Sequence, residues 1–192
     1  MVSPDEFERH WSITYPDVPP VGYMLREKYP ERWLRIHTLP ESKRYPTSEE
    51  EYAEILRRHR TLLEDIIGPT SFVLVLTGYS ETPLPVLSSA WLQSRYPDSR
   101  PFATHKMNGE AGSECYWHFF MVMQTWAPFA YDDLLRLVAD DVLADVLFVR
   151  LDIANIYAPY DGGADIIVSS SSARDAMRQR YASWLSVESS GL

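Results

Sequence analysis

Apolar residues recur along this chain with two different periods. Between 48 and 67, Tyr52, Ile55, Leu56, Leu62, Leu63, Ile66 and Ile67 trace a stripe with the 3.6-residue period of an amphipathic helix. Thr47 and Ser48, each with a glutamate three residues on, form capping boxes at its start, and Gly68-Pro69 stops it. Acids fill the first turn and Arg57, Arg58 and Arg60 follow, as the helix dipole favours, whereas Glu64 and Asp65 in the last turn oppose it. His59 falls at the edge of the stripe. A second helix is predicted over 3–12, with Ser3 as cap, Pro4 at the first helical position, Glu6 completing the box, and Phe7 and Trp11 on one face. A short helix near 20–28 ends before Pro30. Two more are predicted: Tyr131 to Leu143, with Leu134, Leu135, Val138 and Val142 inward, and Ser172 to Leu185, with Met177, Tyr181, Trp184 and Leu185 inward.

The other period is two. In Trp33–His37, Trp33, Arg35 and His37 share one face and Leu34 and Ile36 the other. Phe72–Leu76 and Tyr116–Trp126 are apolar on both faces, which predicts covered strands, the second at the sheet's centre. Residues 101–107 are expected to pair with 115–125 across a loop at 108–112, and Leu87 to Trp91 reads as a helical turn. Val146–Leu151, Asn155–Ala158 and Ala164–Val168 follow as three short strands. Asp161-Gly162-Gly163 reads as a hairpin turn whose central positions need positive φ. Hairpins link consecutive strands without a βαβ cadence. The expected fold is therefore a single α+β domain over 1–192, with a mainly antiparallel sheet flanked by helices.

Composition narrows the function classes. Apolar residues make up 45% of the 192 positions and aromatics 13%, as in a globular chain. The net charge of −9 repels phosphate backbones, so nucleic acid is not an expected partner; the charge suits either plain solubility, the simpler reading, or a basic protein partner. The lone cysteine, Cys115, permits no intrachain disulfide and no cysteine zinc cluster, and it opens an apolar run, as a buried inert thiol would. The acidic, amphipathic start does not resemble a signal peptide, and no apolar run approaches the ~18 residues that span a bilayer. A cytoplasmic setting is expected. No G-x-S-x-G, phosphate-loop or H-E-x-x-H motif occurs, and nothing calls for a cofactor or metal. His118, in its apolar run, reads as a satisfied core histidine, and most tryptophans read as core.

Chemistry concentrates in two segments. Arg35, His37, Glu41, Ser42, Lys43, Arg44 and Tyr45 crowd eleven residues between a strand and a strong helix start. Arg35, Lys43 and Arg44 can hold an anion, and His37 or Glu41 can move a proton. The same residues also suit a satisfied network that organises the turn, and the sequence leaves both readings open. Tyr160, Asp161 and Asp165 surround the paired glycines of the second segment. Two carboxylates four apart can bind a divalent cation, but the ligand series of a calcium loop is missing, and a tight hairpin explains them more simply.

R-I-H-T-L-P-E-S-K-R-Y-P, E-E-E-Y-A-E-I-L-R-R-H, Y-A-P-Y-D-G-G-A-D-I-I-V and the closing Y-A-S-W-L-S resemble a family of uncharacterised bacterial proteins that carry a domain of unknown function. The resemblance covers both ends and is poor over 78–112. It implies a small cytosolic bacterial protein and assigns no residue a role. Two functional expectations follow. One is a non-catalytic binding protein, such as an immunity-type protein that captures a basic partner. The alternative is an enzyme acting on a small anionic substrate through Arg35 to Tyr45. Both require the two charged segments to meet around one solvent-reachable hollow.

Overall fold

The computed structural model of the protein describes residues 2–108, 114–150 and 152–186. Most of the expected 108–112 loop, and Leu151 at the end of an expected strand, fall outside them. The helices are α1 (Pro4–Thr14), α2 (Gly22–Lys28), α3 (Glu49–Ile66), α4 (Ala90–Arg95), α5 (Asp132–Ala139) and α6 (Ser171–Arg180). The strands are β1 (Trp33–His37), β2 (Ser71–Ser80), β3 (Arg100–Asn108), β4 (Glu114–Thr125), β5 (Leu147–Arg150), β6 (Asn155–Tyr160) and β7 (Gly163–Ile167). They form one seven-stranded sheet in the order β1-β7-β6-β5-β2-β4-β3, antiparallel at every pairing. The fold is α+β, as the hairpin pattern predicts. No helix among the described residues is long and apolar enough to cross a membrane.

Alternation along the strands feeds two cores. Phe72, Leu74, Leu76, Phe120 and Val122 face α3, α5 and the C-terminal segment, whereas Val73, Val75, Phe119 and Met121 face Phe7 and Trp11 of α1 and Leu25 of α2. Helices on both faces explain why Phe72–Leu76 of β2 and Phe119–Met123 of β4 are apolar on both sides. β4 is not the centre of the sheet; it lies next to the edge strand β3, and the middle place goes to the four-residue β5. Position within the sheet depends on long-range pairing, which hydrophobicity does not encode.

Helix ends follow their local chemistry. Ser3 and Glu6 make the expected reciprocal box on α1, and Ser48 caps α3 through the Glu51 amide. Asp65, unfavourable for the dipole of α3, instead accepts from the Tyr181 hydroxyl and pairs with Arg180, tying α6 down. The last helix starts from Ser170 rather than Ser172, and α4 begins at Ala90, after the buried Leu87. α5 ends at Ala139, so Val142, expected inward, is 64% exposed. Cys115 is half-buried rather than buried. Of the tryptophans expected in the core, Trp126 is buried, while Trp33, Trp91, Trp117 and Trp184 pack half-exposed at its margins. His118 is buried and held between Ser80 and Thr104, as expected of a satisfied core histidine.

Three residues depart from what their spacing predicts. His59, placed by its spacing at the stripe's edge, is fully buried because β6 closes over that side of α3; its Nδ1 lies 2.5 Å from the Tyr157 hydroxyl. Burial pulls the imidazole pKa down to about 3. Gly162 and Gly163 do not take the positive φ expected of them. They are needed for space: a Cβ on Gly163 would sit 2.0 Å from the Ile36 carbonyl oxygen, and one on Gly162 3.0 Å from the Tyr160 ring.

Gly163→Ala should therefore force β7 away from β1 and cost more than about 2 kcal/mol in a denaturant titration. His59 is neutral when folded and binds a proton near pH 6.5 when unfolded. Stability is thus full above pH 6.5 and should fall by about 1.4 kcal/mol per pH unit from there down towards pH 3. His59→Gln, which keeps an acceptor for Tyr157, should flatten that slope in denaturation curves recorded between pH 7 and pH 4.

Candidate functional site

Strand register assembles the site. β1 and β7 pair with Arg35 opposite Asp165 and His37 opposite Gly163, and the Thr38 amide donates to the Gly162 carbonyl at 3.2 Å. β6 lies on the other side of β7, with Tyr160 opposite Gly163. Side chains from opposite ends of the chain thereby share the α2 face of one sheet corner.

The deeper contact is a buried ion pair. Arg35 Nε and Nη2 donate to the two carboxylate oxygens of Asp165, both at 2.9 Å. The Trp33 indole donates to the same carboxylate at 2.8 Å, and Arg26 of α2 lies 3.6 Å from it. The Arg35 guanidinium sits 4.5 Å from the centre of the Tyr160 ring. Burial alone would lower the Arg35 pKa; the Asp165 contact outweighs it and leaves the guanidinium raised. Burial pushes the Tyr160 hydroxyl up to about 12, with Arg35 pulling the other way.

A second pair closes the mouth. Arg44 Nε donates to Asp161 Oδ2 at 2.6 Å; the aspartate is buried and the arginine side chain is 62% exposed. His37 lines the wall between the pairs. Burial lowers its pKa, helped by the charges of Arg35 and Arg58 and opposed by Asp165, so the ring is neutral at pH 7. Its Nε2 is buried without a hydrogen-bond partner among the described residues.

These side chains enclose a pocket of about 390 Å³. Arg35, His37, Ser42 and Arg44 line it from the first segment, and Tyr160, Asp161 and Asp165 from the second. The two segments therefore do meet around one hollow. Glu41, Lys43 and Tyr45 do not line it. Glu41 is exposed, and Lys43 turns to Thr47 (3.0 Å) and Glu51 (2.5 Å) at the start of α3. Tyr45 lies outside, its ring 5.5 Å from the Arg44 guanidinium and its hydroxyl hydrogen-bonded to Asp161.

Sequence reasoning missed Tyr23, Asp141 and Asp145, which also line the pocket. The signal available is the acidic run Asp140-Asp141 and Asp145 after α5; a helix expected to reach Leu143 masks the first two as helical positions. Burial raises the pKa of Asp145, while the Tyr79 hydroxyl, which donates to it, works in the opposite direction. Ser42, Asp141 and Asp145 all take left-handed backbone, with φ of 56°, 57° and 52°. Three of the seven left-handed side-chain-bearing residues among those described therefore border this hollow. The lining holds four aspartates against two arginines, and both arginines are already paired. Among the described residues, no three His, Cys, Asp or Glu are grouped to hold a metal ion.

Removing one partner of the buried pair leaves the other charge uncompensated. Asp165→Asn should therefore cost roughly 3–5 kcal/mol in a denaturant titration. Replacing both partners by apolar residues of similar volume, Arg35→Met with Asp165→Leu, should recover most of that loss.

A family model described as Domain of unknown function (DUF3885) matches residues 21–188. No curated protein and no solved structure matches the chain. The matched span takes in every strand of the sheet and the whole pocket lining, and the chain belongs to the DUF3885 family.

Proposed function

We propose that this protein is a non-catalytic binding protein whose working site is the pocket between Arg35–Arg44 and Tyr160–Asp165, and that it captures a basic protein partner. The observation that carries this reading is the acid excess of the lining. Asp165 holds Arg35 in a bidentate contact and Asp161 holds Arg44, while Asp141 and Asp145 bring further carboxylates. An incoming anion would meet arginines already neutralised; an incoming cation meets oxygen acceptors. The chain's net charge of −9 adds a long-range attraction of the same sign. A bacterial, cytoplasmic protein of immunity type, covering a basic surface, suits this size and charge.

The alternative, an enzyme acting on a small anionic substrate, is less well supported. Lys43 and Glu41, its anion holder and base, stand outside the pocket, and the neutral His37 sits beside an arginine that is not free. Capture experiments at low and high ionic strength, comparing the wild-type chain with Asp145→Asn/Asp161→Asn, test the proposal. The expected result is a partner with a basic surface that is retained at low salt, lost at high salt and lost from the variant. Retention that ignores both salt and the variant would overturn it. So would a rise in melting temperature with phosphate or citrate that disappears in Arg44→Ala.

A further inference from the structure

The geometry of Arg44 narrows what enters the pocket. Arg44 hangs from the loop after β1 with its side chain mostly in solvent, yet its Nε reaches the buried Asp161. An exposed arginine holds one geometry weakly, because screening and lost side-chain entropy offset most of the attraction. A buried carboxylate left without a partner is costly. The carboxylate is therefore the fixed member of this pair and the arginine the exchangeable one. Deeper in the same pocket the arrangement is made permanent: Arg35 lies bidentate on the buried Asp165 and against the ring of Tyr160. The mouth repeats it, with Asp161 as carboxylate and, beside the guanidinium, the Tyr45 ring, whose hydroxyl also donates to Asp161 and would stay on it when Arg44 leaves. His37, on the same wall and only 8% exposed, keeps an Nε2 with no hydrogen-bond partner among the described residues.

We infer that Arg44 is a built-in occupant of the pocket mouth, and that the ligand is a guanidinium, the end of an arginine side chain on the partner, which displaces Arg44 from Asp161. This rests on the binding reading above and names the group that is bound. Arg44 then acts as a weak internal competitor. A ligand gains access only in the fraction of molecules whose Arg44 has swung out, so its apparent affinity is reduced by that fraction.

Titration calorimetry on the full chain tests this, with N-acetyl-arginine amide, n-butylammonium and inorganic phosphate as probes. The arginine probe should bind at least about fivefold more tightly than n-butylammonium, as two parallel N–H donors on a carboxylate favour. Arg44→Ala should tighten it roughly fivefold by freeing Asp161. Lys43→Ala removes an equal charge from an exposed neighbour that pairs with Glu51, and should change affinity less than about twofold. Asp161→Asn should weaken binding at least about tenfold. If Arg44→Ala tightens binding no more than Lys43→Ala does, or weakens it, the built-in occupant is overturned while the binding reading stands. Equal affinity for n-butylammonium overturns the guanidinium assignment alone. If no probe binds either wild type or Arg44→Ala, the inference is overturned, and partner capture decides the binding reading independently. Binding of phosphate alone, abolished in Arg44→Ala, would sink both.

Discussion

The pairing of β1 with β7 is the constraint on which the site depends. It is made possible by Gly163, whose missing side chain lets the Ile36 carbonyl approach, and it sets Arg35 across from Asp165. The ion pair does not in itself argue for stability, since an apolar pair of similar volume would cost less to desolvate. Its effect is on register. A slip of one residue would carry Arg35 to the face occupied by Leu34 and Ile36, among α3 and the first core, with no carboxylate to meet it. The buried charge thus selects one alignment of two strands from opposite ends of the chain.

Much of this was legible in the sequence and some was not, for physical reasons. Ser3, Pro4, Glu6 and Ser48 are local signals, and α1 and α3 begin where they direct. Strand alternation is local too, so Trp33–His37 and the hairpin after Tyr160 were readable. The adjacency of β1 and β7 was not, because nothing in either strand names its partner. The burial of His59 escaped for the same reason: its stripe is widened by β6, a strand contributed from far along the chain. Gly162-Gly163 shows a different limit. The turn was read correctly from its glycines, but they serve close approach rather than left-handed backbone. At the site, Arg35, His37, Ser42, Arg44, Tyr160, Asp161 and Asp165 converge as their clustering suggested, whereas Asp141 and Asp145 come from a loop whose acids looked like a helix end.

Electrostatics gives the pocket its character. Each arginine on its lining is matched by a buried aspartate, His37 is kept neutral by burial and by Arg35, and burial lifts Asp145. The hollow consequently offers acceptors to whatever enters.

The place of β7 has a consequence for how the chain is made. β1 lies well before β7 in the sequence, and β7 is its one strand neighbour among the described residues. Until β7 has been made, β1 has neither of its edges paired and bears Leu34 and Ile36, the kind of segment that invites pairing with other nascent chains. Arg35, in the middle of that edge, is then an unmatched charge that discourages such encounters, as gatekeeper residues do. One side chain would guard the growing polypeptide first and anchor the finished pocket afterwards.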